Sequence, residues 1–159
     1  MKQGFVKVAA ASCAVVVADV RENTRVILET IHKMEDEGAK VMVLPELALT
    51  GYTCSDLFWQ NQMIDAAKEG LKEIADGTKG TDALIFVGLP WEQGGKLFNV
   101  AAVLCHGELL GVVPKKYLPN YNEFYELRHF TPGPAEPEAV EWRGRFVPFG
   151  SNILFRCAN

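Results

Sequence analysis

Two short stretches of the chain gather side chains that could move protons and stabilise developing negative charge. The first is Leu44-Pro45-Glu46-Leu47, where Glu46 is the first polar residue after the apolar run Val41-Met42-Val43-Leu44. Ligands of open α/β sheets collect at the carboxyl ends of the strands, so an acid at that point is placed to serve as a general base. Its Pro and Leu neighbours would strip away part of its water, a setting that suits proton transfer. The plain alternative is a surface carboxylate in a turn. The second stretch runs from Val113 to Glu126 and holds Lys115 and Lys116, Tyr117, Tyr121 and Tyr125, and Glu123 and Glu126. A lysine at a strand end can stabilise an oxyanion, and a nearby glutamate can hold it in place and keep it charged. Without such a role the stretch is an exposed charged loop.

Other reactive side chains are dispersed. Cys13, Cys54, Cys105 and Cys157 are widely and irregularly spaced, forming neither a metal-binding pair nor the dense framework of a small secreted domain. His32, His106 and His129 are scattered too, which argues against a structural zinc site. His106 before Gly107 reads as a turn residue, and His32 as a partly buried structural histidine beside an apolar helix face.

The elements that must position Glu46 and the lysines follow from periodicity. Residues 5–17 read as a strand, and Asp19 to Gly38 as a helix. In that helix Asn23 or Thr24 can cap, Ile27, Ile31 and Met34 share one face, and Gly38 suits a left-handed exit. Val41 to Leu44, uniformly apolar, reads as a parallel strand covered on both faces, which completes a βαβ unit. Met63, Ala67, Leu71 and Ile74 recur at helical spacing within 55–75, and the apolar run Ala83 to Leu89 follows. Gly94-Gly95 and His106-Gly107 then separate three strands in hairpin fashion. From Pro114 onward the chain reads as loop with a short helix around 122–127, until Phe146 to Phe155 regains strand character.

With 159 residues, 48% apolar and 23% charged, the composition is that of one globular domain. Sixteen basic against twenty acidic residues, net −4, supply no basic footprint for nucleic acid and no polybasic patch for an anionic membrane. The uncharged stretch Val8 to Ala18 falls short of the ~18 to 20 residues that span a bilayer. It follows Lys2 and Lys7 as the apolar part of a leader peptide would. Its β-branched Val15, Val16 and Val17, the lack of leucine and the absence of a clear cleavage site fit a buried first strand instead. The chain is read as cytoplasmic.

Pro45-Glu46-Leu47-Ala48-Leu49-Thr50-Gly51-Tyr52, followed by Lys115-Lys116-Tyr117-Leu118-Pro119, resembles the first two of three catalytic motifs of the nitrilase (carbon-nitrogen hydrolase) superfamily. Leu97-Phe98-Asn99-Val100-Ala101 is similar to the strand these proteins place between the two. Within the superfamily, Cys54-Ser55-Asp56-Leu57-Phe58 and the string from Leu118 to Glu126 resemble the amino-terminal glutaminase domains of bacterial glutamine-dependent NAD+ synthetases. The resemblance runs from Val6 to Phe155.

It implies an α/β fold, a nitrilase-like α-β-β-α sandwich that is incomplete in this chain, and a partial glutaminase domain over residues 1–159. By position, Glu46 would be the general base and Lys115, rather than Lys116, the oxyanion lysine. Glu123 would match the family's second glutamate, and Tyr121 a tyrosine lining the pocket for L-glutamine. The family attacks its amide with a cysteine thiolate set in a Gly-x-x-x-Cys-Glu-Asp-like motif, and none of the four cysteines matches it. Cys157 comes nearest in order but lacks the glycine and the acids, and is read as unreactive. The resemblance further implies a carboxy-terminal synthetase domain, absent here, that uses ATP and Mg2+ to amidate deamido-NAD+. The glycine-rich phosphate loop of such a domain has no counterpart in the chain, so no cofactor is expected for it alone. An apolar sheet face left open should make the chain a homo-oligomer. Two other readings remain: another amidase of the superfamily, and an interaction module that keeps the fold without the nucleophile.

Overall fold

Strand pairing changes from parallel to antiparallel where glycine turns replace helices as connections. A computed structural model of the protein describes residues 4–156. In chain order the elements are β1 (Val8–Ala10), α1 (Val20–Asp36), β2 (Val41–Val43), a 3-10 turn (Ser55–Trp59) and α2 (Asn61–Gly77). After these come β3 (Leu84–Gln93), β4 (Lys96–Cys105), β5 (Glu108–Pro114), α3 (Glu126–His129), β6 (Glu138–Trp142) and β7 (Arg145–Phe149). All seven strands join one sheet in the order β1-β2-β3-β4-β5-β7-β6. β1, β2 and β3 are parallel and joined by helical crossovers, whereas β3, β4 and β5 form an antiparallel meander. β7 returns parallel to β5, and β6 pairs antiparallel with it.

The two faces of this sheet differ. Ile85, Val87 and Leu89 of β3 stand beside Leu104, Ala102 and Val100 of β4, and all six are buried with Ile27 and Ile31 of α1 and Leu71 and Ile74 of α2. Their neighbours in alternate register point the other way. There Val8 is 66% and Val43 43% exposed, while Phe86 meets Phe155 edge-on at 6.1 Å. The expected cover on both faces of β2 and β3 is therefore not found among the described residues: one helical layer packs on one sheet. An apolar face lies open, as expected of an incomplete sandwich.

Several local expectations change. The first strand is only three residues long, because after Ala11 donates to the Val43 carbonyl the chain leaves the ladder, and Val15, Val16 and Val17 are exposed rather than buried. Asp19 caps α1 by accepting from the Glu22 amide at 3.0 Å. Asn23 instead ties the chain together: its amide nitrogen donates to the Val16 and Leu49 carbonyls, and its oxygen accepts from the Val16 amide. Gly38 does leave the helix with φ of 82°. The helix expected over 55–75 splits at Gln60, whose extended backbone separates the 3-10 turn from α2. His32 is exposed, with Nε2 3.1 Å from the Gly77 carbonyl. β6 arises inside the proline-rich stretch that read as loop, since Val140 and Trp142 alternate with exposed residues and bury against the core.

Candidate active site

Glu46 sits where β2 runs out, on the side of the sheet that the helices leave open. The chain reverses through Pro45–Gly51, with Leu47 held at φ of 51° and its side chain fully buried. The loop lies hard against β3. A Cβ at Gly88 would come 2.4 Å from the Pro45 carbonyl oxygen and 2.5 Å from the Leu47 nitrogen, so only glycine admits this approach. The Leu49 amide then donates to the Gly88 carbonyl at 3.2 Å.

Lys115 directly follows β5. Its amide donates to the Asn99 carbonyl of β4 at 2.8 Å and its carbonyl accepts from Gly133 at 2.9 Å, which fixes the backbone on both sides. The ammonium reaches Glu46 Oε1 at 2.7 Å and Glu126 Oε1 at 2.9 Å. Glu126 opens α3 and is only 4% exposed. That short helix is pinned by Phe130, which packs on Phe58 with ring centroids 5.0 Å apart, and by the Thr131 amide on the Leu97 carbonyl. The Tyr52 hydroxyl also donates to Glu126 Oε1, at 2.9 Å, while Glu126 Oε2 is buried without a partner among the described residues. Asn99 Nδ2 donates to Glu46 Oε1 in a further, short bond.

Electrostatics follow from this packing. Burial works against the Lys115 ammonium, but the hydrogen bonds and charges of Glu46 and Glu126 outweigh it and hold the pKa above the ordinary lysine value. Burial and the Glu126 carboxylate push Tyr52 well above the usual phenol range, so it stays a donor. Glu46, Asn99 and Lys115 border a cavity of about 350 Å³ whose apolar lining includes Val43, Phe86 and Val113. A preorganised cation beside a carboxylate in such a recess can stabilise an oxyanion while the carboxylate moves protons.

Of the four residues expected in the site, the structure brings Glu46 and Lys115 together. It does not bring Glu123, which is exposed on the loop before α3; Glu126 occupies the place foreseen for it beside the lysine. The physical reason is the turn at Glu126, whose carbonyl accepts from Phe130 as that ring buries, whereas Glu123 follows Asn122 in a left-handed turn at the surface. An acid four residues before a buried aromatic was the available signal. Tyr121 is also exposed, its ring packed edge-on against Phe124 rather than against the lysine. Lys116 points away and lies over Tyr117. Asn99 and Tyr52 join the site although nothing in the sequence singled out their side chains. Glu46 is less desolvated than its Pro and Leu neighbours suggested, with 42% of its side chain exposed.

The described thiols lie elsewhere. Cys54 is buried, directed at the Thr50 and Gly51 carbonyls, and raised in pKa by burial; Cys13 meets Thr30 Oγ1 at 3.6 Å. Cys105 ends β4, about 20 Å along the strand from Asn99. Cys157 lies outside the described residues.

Residues 7–153 match the carbon-nitrogen hydrolase family. The chain belongs to the carbon-nitrogen hydrolase family. Among curated members, the glutamine-dependent NAD(+) synthetase of Mycobacterium tuberculosis (strain ATCC 25618 / H37Rv) is 35% identical over 158 residues, a match covering 99% of this chain and 23% of that protein. In fold, the chain is similar to a glutamine-dependent NAD(+) synthetase from Cytophaga hutchinsonii, with a TM-score of 0.89 and 29% identity over 96% of this chain and 26% of that one. It is similar as well to a mutant of the amidase from Nesterenkonia sp. AN1 that carries acrylamide on its active-site cysteine, with a TM-score of 0.68 and 25% identity over 91% of this chain and 56% of that one. The chain thus spans about a quarter of the length of the curated synthetases it matches. The nitrilase-like fold is shared with both solved structures.

Proposed function

We propose that these residues supply the base and the oxyanion cation of a glutamine amidohydrolase, whose ammonia serves ATP-dependent amidation of deamido-NAD+ in a longer protein. The observation that carries this reading is the Glu46–Lys115–Glu126 cluster, built on a sheet whose relatives are glutamine-dependent NAD(+) synthetases. Glu46 takes the proton of an attacking thiol as the C–S bond to the glutamine carbonyl forms, and Lys115 Nζ binds the oxygen that becomes negative. The same carboxyl then returns the proton to the amide nitrogen, the C–N bond breaks and ammonia leaves. Glu46 next draws a proton from water as the water oxygen bonds to the thioester carbonyl, and returns it to the sulfur as the C–S bond breaks and glutamate leaves. Glu126, buried and hydrogen-bonded by Tyr52, holds the lysine between the two carboxylates.

The attacking thiol is proposed to come from a segment beyond these 159 residues, one that packs on the open sheet face; a second copy would cover that face when the chain is alone. ATP and Mg2+ are assigned in this reading to the remainder of the longer protein, because this chain has no glycine-rich phosphate loop. No described helix is long and apolar enough to cross a membrane. The likeness to an amidase favours a second reading, hydrolysis of another small amide by the same cluster.

The test is ammonia release from L-glutamine by the 159-residue chain, expected to stay at the uncatalysed background because no thiol among the described residues reaches Lys115. Turnover that Cys157→Ala abolishes would place the nucleophile inside the chain and overturn the division of labour.

A further inference from the structure

Glu46 Oε1 and Oε2 stand in different surroundings. Oε1 accepts from Lys115 Nζ and from Asn99 Nδ2, two donors for the roughly two lone-pair directions of a carboxylate oxygen. No donor among the described residues bonds Oε2, and Glu46 borders the cavity. Asn99 is 3% exposed, its backbone carbonyl receives the Lys115 amide, and its side chain must turn nitrogen rather than oxygen toward a carboxylate, which only accepts. One buried residue of β4 thus fixes the lysine through its main chain and the acid through its side chain.

From this we infer that Asn99 is a positioning residue that, with Lys115, commits Oε1 of Glu46 and leaves Oε2 as the oxygen that accepts the proton. The inference rests on the reading of Glu46 as a base. Lys115 alone would hold Oε1 by one bond, about which the carboxylate could turn and present either oxygen. The second donor, rooted in the sheet, removes that freedom. An aspartate at position 99 keeps the shape but sets an acceptor against an acceptor, so it would turn Glu46 out of its place.

The test is side-chain amide NMR of the isotopically labelled 159-residue chain, with backbone amide spectra reporting whether each variant is folded. One Asn99 Nδ2 proton is expected well downfield of the signals of exposed asparagines, because its acceptor is a charged carboxylate oxygen. Glu46→Gln is expected to move that proton upfield. An Asn99 signal that matches exposed asparagines and is indifferent to Glu46→Gln would overturn the inference. In the longer protein that carries this segment, Asn99→Ser and Asn99→Asp are expected to lower kcat for glutamine hydrolysis by about tenfold to a hundredfold with KM nearly unchanged. Equal kcat in folded Asn99→Ser and Asn99→Asp proteins and in the wild type would refute the positioning role. The NMR response needs no turnover, so the bond is judged separately from the hydrolase reading: wild type that never hydrolyses glutamine would defeat the latter alone.

Discussion

Replacing Gly88 by alanine strikes the site through its scaffold. The added methyl carbon would lie 2.4 Å from the Pro45 oxygen, 2.5 Å from the Leu47 nitrogen and 3.0 Å from the Glu46 carbonyl carbon, all backbone atoms that cannot rotate aside. The loop must retreat by about 1 Å to restore ordinary contact, and such overpacking costs about 1–3 kcal/mol. Glu46 stands in that loop, so its 2.7 Å pair with Lys115 is disturbed by the same step. For a chain of this size the melting temperature should drop by about 2–12 °C. Gly80 is the control, because a Cβ there meets nothing within 4 Å and its backbone is not left-handed. Gly80→Ala should stay within about 0.5 kcal/mol of wild type or stabilise slightly. Thermal unfolding followed by circular dichroism reads both. A Gly88→Ala protein that melts with the Gly80→Ala control would refute the claim that the Glu46 loop is pressed onto β3.

Other outcomes follow from the same geometry. Glu126→Ala removes one of two carboxylates from Lys115 and strips Tyr52 of its acceptor, so it should destabilise the chain by about 1–3 kcal/mol in urea unfolding. Glu123→Ala, at the surface, should stay within about 0.5 kcal/mol, and a reversed order would return the second glutamate to position 123. Lys115 and Tyr52 both bind their protons more tightly in the folded chain, so the stability they confer is complete below their ordinary values of 10.5 and 10.0 and is lost as pH rises through the folded values. Melting temperature should therefore fall above about pH 10, less steeply in Lys115→Met; parallel alkaline slopes in the two proteins would remove Lys115 from this account.

Much of this arrangement is legible in the residues, and what is not has a physical cause. Uniform apolar runs and helical spacing locate β2, α2 and β3, and paired glycine-containing turns mark the β3–β4–β5 meander, because each depends on neighbours close in sequence. Glu46 and Lys115 are legible for the same reason: each lies within three residues of the end of a strand, and strand ends are where sheets place ligands. The exchange of Glu123 for Glu126 is different. Both acids lie in one polar loop, and only the burial of Phe130 against Phe58, a contact with a residue 72 positions away, decides which of them turns inward. Asn99 and Tyr52 escape notice because their roles arise from cross-strand and loop-to-helix contacts. The exposure of Val15, Val16 and Val17 likewise depends on where the first strand leaves the sheet, which β propensity does not specify.

The most direct test of the account uses the polypeptide encoded by the whole reading frame that carries these residues, supplied in turn with glutamine and with ammonium as nitrogen donor. Lys115→Ala and Glu46→Ala should each lower glutamine-driven NAD+ formation by about a hundredfold or more, while ammonium-driven formation stays at the wild-type rate. Equal loss with both donors would contradict the account, since residues of the proposed amide-cleaving site would have no part in using free ammonia.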